Sequence, residues 1–84
     1  MKYYVARRHP TKGIQFQMNK CLDNKWCYAE YLLKYPEDVW QFSKQGANGI
    51  VKRYKEYESY KKSGVRFEYF IVPVDDVLDY NKEV

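Results

Sequence analysis

Residues 43–63, SKQGANGIVKRYKEYESYKKS, constrain this chain more than any other stretch, because they alone are long and periodic enough to demand a helix. Ala47, Ile50, Val51, Tyr54, Tyr57 and Lys61 recur at steps of three and four, which places them on one side of a 3.6-residue spiral. Lys52, Arg53, Lys55, Glu56 and Lys62 take the other side. The Ser43 hydroxyl can accept from a free backbone N–H at the start, and Gly64 can take the left-handed geometry that ends helices. The pattern predicts one apolar face turned to a core and one basic face turned to water.

Strands are expected on either side of this helix. In 2–8, Tyr3, Val5 and Arg7 alternate with Tyr4, Ala6 and Arg8, and His9-Pro10-Thr11-Lys12-Gly13 supplies turn chemistry. In 14–19, Ile14, Phe16 and Met18 share one face while Gln15, Gln17 and Asn19 share a polar outer face. The two segments are predicted to form a hairpin. A second turn is expected at 21–25. From Trp26 to Leu33 the pattern reads as strand first and helix later, and Pro36-Glu37-Asp38 suits a short helical turn. Val39 to Phe42 then brings two large aromatics up to Ser43, in the manner of a hydrophobic staple. Gly46 and Gly49 each cost the helix about 1 kcal/mol against Ala, so they signal either close packing on the sheet or a fraying first turn.

The last strong strand is expected over 65–74. Phe67, Tyr69 and Ile71 lie on one face and Phe70, Val72 and Val74 join Glu68 on the other, which predicts an interior strand covered on both sides. Pro73 belongs at an edge or near the strand's end, because it cannot donate to a ladder. Asp75-Asp76 turns the chain, and residues 77–80 are expected to pack once more. The fold class is therefore α+β: one domain over 1–84, an antiparallel sheet of three to four strands packed against one main helix.

Chemistry is constrained mainly by what is missing. One histidine, two cysteines at C-x5-C spacing and no glycine-rich phosphate loop leave no catalytic set and no metal set, so neither enzyme nor cofactor is expected. Cys21 and Cys27 are read as reduced, partly buried thiols. The chain opens without an apolar signal segment and has no run near the ~18 residues of a membrane span, so a cytoplasmic protein is expected.

Binding is the remaining class. Ten tyrosines, four phenylalanines and two tryptophans exceed what an 84-residue core readily conceals, since each aromatic brings roughly 150–250 Å². Trp, Tyr and Arg dominate binding hot spots, and Trp26, Tyr28, Tyr31, Tyr35 and Trp40 are the candidate protein-binding patch. A net charge of +4 permits a second reading. In it Arg7, Arg8, Lys12, Lys52, Arg53, Lys55 and Lys62 contact phosphates while Tyr57 and Tyr60 stack on unpaired bases. Glu56 and Glu58 dilute that surface, and Glu58 pairs with Lys62 at i, i+4 in the ordinary way of a solvated helix face.

Lys2-Tyr3-Tyr4-Val5, Phe42-Ser43 before Ala47 and Ile50, and the closing Phe70-Ile71-Val72-Pro73-Val74 resemble small orphan accessory proteins of bacteriophages and mobile elements. That resemblance implies a strand–strand–helix–strand plan and a counter-defence factor that binds and inhibits a host protein in the host cytosol. A fainter likeness, through Tyr4-Val5, Gly13-Ile14, Phe42 and Ala47, is to the N-terminal hybrid-binding domain of ribonuclease H. The chain departs from that domain in the tryptophan and glutamine pattern between those residues.

Overall fold

The computed structural model describes residues 1–19 and 25–77. Four strands, β1 (Tyr3–His9), β2 (Gly13–Gln17), β3 (Trp26–Tyr28) and β4 (Glu68–Pro73), form one antiparallel sheet in the order β3-β2-β1-β4. Helix α1 (Ala29–Lys34) follows β3 directly, a 3-10 turn spans Pro36–Asp38, and the main helix α2 covers Lys44–Ser59. This is the expected α+β architecture. The turn expected at 21–25 and the packing of residues 78–80 lie outside the described residues, apart from Lys25.

Alternation sorts the sheet into two apolar faces. Val5, Tyr69, Ile71 and Trp26 meet Ala47, Ile50, Val51 and Tyr54 of α2. Tyr4, Ala6, Ile14, Phe16, Cys27 and Val72 point the other way, under Ala29 and Leu32 of α1 and under Val39 and Val77. Tyr4, Val5 and Ala6 are consecutive and all buried, which is possible only for a strand covered on both faces and flanked on both sides. The interior strands are β1 and β2, and β4 is an edge strand. Apolar residues on both sides of β4 report that both its faces are covered, which says nothing about lateral neighbours. Pro73 closes β4 opposite Tyr3, where a missing N–H costs least.

The hairpin forms as expected, with Gly13 at φ 90° in the turn. His9 holds this turn by accepting at Nδ1 from the backbone N–H groups of Thr11 and Lys12, each at 3.1 Å. The polar outer face expected for β2 is a different matter. Gln15 is half-buried and Gln17 only 6 % exposed, because that face lies toward α2 rather than water. β2 stops at Gln17, yet Met18 continues in a bridge to Val39, and Phe42 bridges to Tyr3. Residues 39–42 thus lie alongside the end of β2 and the start of β1 and deliver the chain to α2.

Ser43 caps α2 by accepting from the Gly46 N–H at 3.1 Å, and Phe42 packs in the same cluster as Ala47, as a staple does. Neither glycine packs on the sheet. A side chain at Gly46 would press on the Ser43 hydroxyl at 3.2 Å, whereas the space beside Gly49 is open. The helix ends at Ser59, earlier than expected. Gly64 does adopt φ 94°, but in the following loop. What covers the helix end is Arg66, whose guanidinium donates to the carbonyls of Glu58 and Lys61. The buried stripe also shifts: after Ala47, Val51 and Tyr54 the next half-buried position is Glu58, while Tyr57 is 77 % exposed.

Candidate functional site

Arg7 occupies an inward position on β1, directly opposite Tyr69 on β4, so its side chain lies on the α2 side of the sheet. Its guanidinium carbon lies 4.3 Å from the Trp26 ring centroid and 4.0 Å from that of Phe67. Its Nε donates to Gln15 Oε1 at 2.7 Å, and Tyr69 is its partner across the ladder. Two rings within cation–π distance and the Gln15 acceptor together hold the cation in place. Burial lowers the Arg7 pKa from its ordinary value, and Tyr69 opposes the shift. The cation is thus partly stripped of water.

The aromatic neighbours interlock around it. Tyr54 of α2 stacks on Tyr69 at 4.9 Å and 15°, and Trp26 meets Tyr54 edge-on at 5.8 Å. Burial raises the pKa of both Tyr54 and Tyr69, with the Glu58 carboxylate adding to the effect on Tyr69 and Arg7 opposing it. Both phenols stay neutral.

A cleft of about 480 Å³ opens over this cluster, walled by Arg53, Tyr54 and Tyr57 of α2 on one side and by Trp26, Phe67 and Tyr69 on the other, with Arg7 between. That volume falls within the roughly 300–1,000 Å³ typical of ligand sites. A second hollow of about 260 Å³ shares Arg53 and Tyr54 with it and reaches Gln17 and Trp40. Tyr57 and Lys61 are shared with a third, which Tyr60 completes. The three adjoin in series along α2. The track carries exposed aromatics toward its ends, with Trp40 at one and Tyr57 and Tyr60, 77 % and 82 % exposed, at the other.

Glu58 belongs to the cleft wall, not to a solvated helix face. Its Oε1 accepts from Lys61 Nζ at 3.2 Å and from the Tyr69 hydroxyl at 3.5 Å, and Arg66 stands 3.9 Å from Oε2. The expected pair with Lys62 is replaced by these contacts, since α2 has already ended before Lys62. The charge of Glu58 is balanced internally and does little to dilute the outer surface.

The two candidate residue sets are redistributed by the fold. Of the protein-binding set, Trp26 lines the main cleft, Trp40 lines the second hollow, and Tyr28 sits on the same strand face as Trp26, opposite Gln15. Tyr31 and Tyr35 belong instead to the α1 side, with their rings 4.9 Å apart and the Tyr31 hydroxyl donating to Asp38 Oδ2 at 2.7 Å. Of the basic set, Arg7 and Arg53 line the cleft, while Lys52 and Lys55 are exposed on α2 and line none of the three hollows. Arg8 projects from the opposite face of β1, near the Phe70 ring. Lys12 is exposed in the hairpin turn and Lys62 in the loop after α2.

Sequence reasoning missed Tyr54, Glu58, Phe67 and Tyr69 as site residues. One signal was present: a charged residue, Arg7, at an inward position of an otherwise apolar strand face requires partners that shield it. Among the described residues, no group of three or more His, Cys, Asp and Glu side chains is placed to hold a metal, and no helix is long and apolar enough to cross a membrane. Compared with protein families, curated proteins and solved structures, the chain matches none.

Proposed function

We propose that this protein binds single-stranded nucleic acid along α2. The observation that carries the reading is the series of adjoining hollows in which exposed aromatic rings alternate with cations. A single strand offers unpaired bases at each nucleotide, which stack on Tyr or Trp, and phosphates at a regular spacing, which Arg and Lys neutralise. Tyr57, Tyr60 and Trp40 are the stacking platforms; Arg53, which lines two of the hollows, is the central phosphate contact, and Lys52 and Lys55 add positive charge on the outer surface of the helix. Titrating fluorescein-labelled single-stranded DNA and RNA by anisotropy tests this. Tyr57→Ala and Tyr60→Ala should each weaken binding about thirtyfold, the middle of the range for loss of one base–aromatic stack. Undiminished affinity in the double variant would refute the reading.

A protein partner is the second reading, and one observation favours it. Tyr31 and Tyr35, with rings 4.9 Å apart, are exposed at α1 and its C-cap, and Leu33 is exposed elsewhere on α1, all away from the cationic track. In this reading the chain is an accessory factor that binds and inhibits a host protein in the cytosol. Pull-down from a nuclease-treated bacterial lysate decides it: a partner retained by the wild type and lost in Tyr31→Ala/Leu33→Ser supports this role, and recovery of nothing once nucleic acid is digested excludes it.

A further inference from the structure

The strongest unexplained feature of the cleft is the charge of Arg7. Trp26 at 4.3 Å and Phe67 at 4.0 Å crowd the guanidinium, and its open approach is from the cleft that it lines. Nε is occupied by Gln15. A guanidinium carries five N–H donors, so unused ones remain on the terminal nitrogens. An edge with paired donors is the arrangement that grips a phosphate or carboxylate through two parallel hydrogen bonds.

The charge balance of the cleft narrows the ligand. Its wall carries the cations Arg7, Arg53 and Lys61 and the carboxylate of Glu58. Lys61 and Glu58 are bonded to one another and neutralise each other. Arg7 and Arg53 are left, two cations facing a space of about 480 Å³ with aromatic walls at Tyr54 and Tyr57. An internal phosphodiester brings one negative charge, whereas a phosphomonoester brings about 1.5 to 2 at neutral pH. The second matches the cleft.

We infer that the Arg7 cleft receives the terminal phosphomonoester of a nucleic-acid strand, with the phosphate on Arg7 and Arg53 and the terminal base against Tyr54 and Tyr57. This rests on the single-strand reading above and adds an end preference to it. The remainder of the strand then leaves along the outer surface of α2, past Lys52 and Lys55.

Three oligonucleotides of one sequence test the inference: one with a 5′-phosphate, one with a 3′-phosphate and one with hydroxyls at both ends. One phosphorylated form should bind about tenfold more tightly than the hydroxyl-ended strand, and the preferred end identifies the strand's polarity. In Arg7→Lys, which keeps the charge and loses the paired donors, the ratio of the two affinities should fall toward one. Arg53→Ala, at an exposed position, should reduce the same ratio and covers the case in which Arg7→Lys fails to fold. Equal binding of all three strands overturns the end preference while leaving the single-strand reading standing. Absence of binding by any of them overturns both.

Discussion

Arg7 and Tyr69 face one another across the β1–β4 ladder, and from beside the Arg7 side chain the Tyr69 hydroxyl donates to the Glu58 carboxylate of α2 at 3.5 Å. That contact joins the sheet to the helix through polar groups in a region otherwise built from aromatic rings. Its members depend on each other: removing one leaves another partly buried and unsatisfied.

Arg7→Lys should therefore destabilise the fold as well as alter binding. An ammonium cannot match the planar guanidinium beside Trp26 and Phe67 while also bonding Gln15. A loss of about 1–2 kcal/mol is expected from the cation–π and hydrogen-bond contributions combined. Urea unfolding followed by tryptophan fluorescence measures it, since Trp26 lies in the same cluster.

The two helix glycines should respond differently to replacement by alanine. Gly49→Ala adds a methyl to open space and removes backbone freedom from the unfolded chain, so it should stabilise by up to about 1 kcal/mol. Gly46→Ala sets the new methyl 3.2 Å from the Ser43 hydroxyl, at the residue whose N–H the cap binds. Its gain in propensity is offset by a displaced cap worth about 1 kcal/mol. Thermal melts of the two variants should separate by several degrees.

The hydrogen bond from Tyr31 to Asp38 pushes the Tyr31 pKa up to about 12, with desolvation and the negative charge of Asp38 adding to it. The folded pKa lies above the unfolded value near 10, so this contribution to stability is fully present below about pH 10 and is lost between there and about 12. Ultraviolet titration of the phenols should show a late-ionising fraction that moves to lower pH in Asp38→Asn.

Cys27 is buried on β3 beneath α1, and burial, reinforced by Asp38, pushes its thiol up to about 11. The thiolate is the reactive form, so Cys27 should be inert to a neutral-pH disulfide reagent while the protein is folded. In a Cys21→Ser background, labelling should appear only as denaturant unfolds the chain. Rapid labelling in buffer would show that the α1 layer opens.

Local patterns were legible in the sequence wherever one residue type forces one geometry. Ser43 with Phe42 before it marked the start of α2, Gly13 marked the hairpin, and Pro36-Glu37-Asp38 marked a helical turn. Lateral order was not legible. Phe67, Tyr69 and Ile71 on one side and Phe70, Val72 and Val74 on the other would look the same in a central strand as in a covered edge strand, which β4 is. The helix stripe failed at one step for a related reason. Tyr57 and Glu58 both continue a three-and-four spacing from Tyr54 or Ala47, and hydrophobicity favoured the tyrosine. Glu58 takes the inner position because Lys61 and Tyr69 donate to its Oε1 and Arg66 stands 3.9 Å from its Oε2, and Arg66 and Tyr69 come from segments the spacing cannot see. The cleft was hidden in the same way. Arg7, Trp26, Tyr54 and Phe67 are far apart in sequence and meet only through strand register and helix placement.

The most direct test of single-strand binding along α2 is the salt dependence of affinity for a short unstructured oligonucleotide. Each phosphate neutralised on a single strand contributes about −0.7 to the slope of log affinity against log salt. Wild-type protein should show a steep negative slope, and the triple variant Lys52→Ala/Arg53→Ala/Lys55→Ala should show one about 2 units shallower with weaker binding throughout. A slope and affinity unchanged in the triple variant would contradict α2 as the contact surface, and with it single-strand binding along this helix.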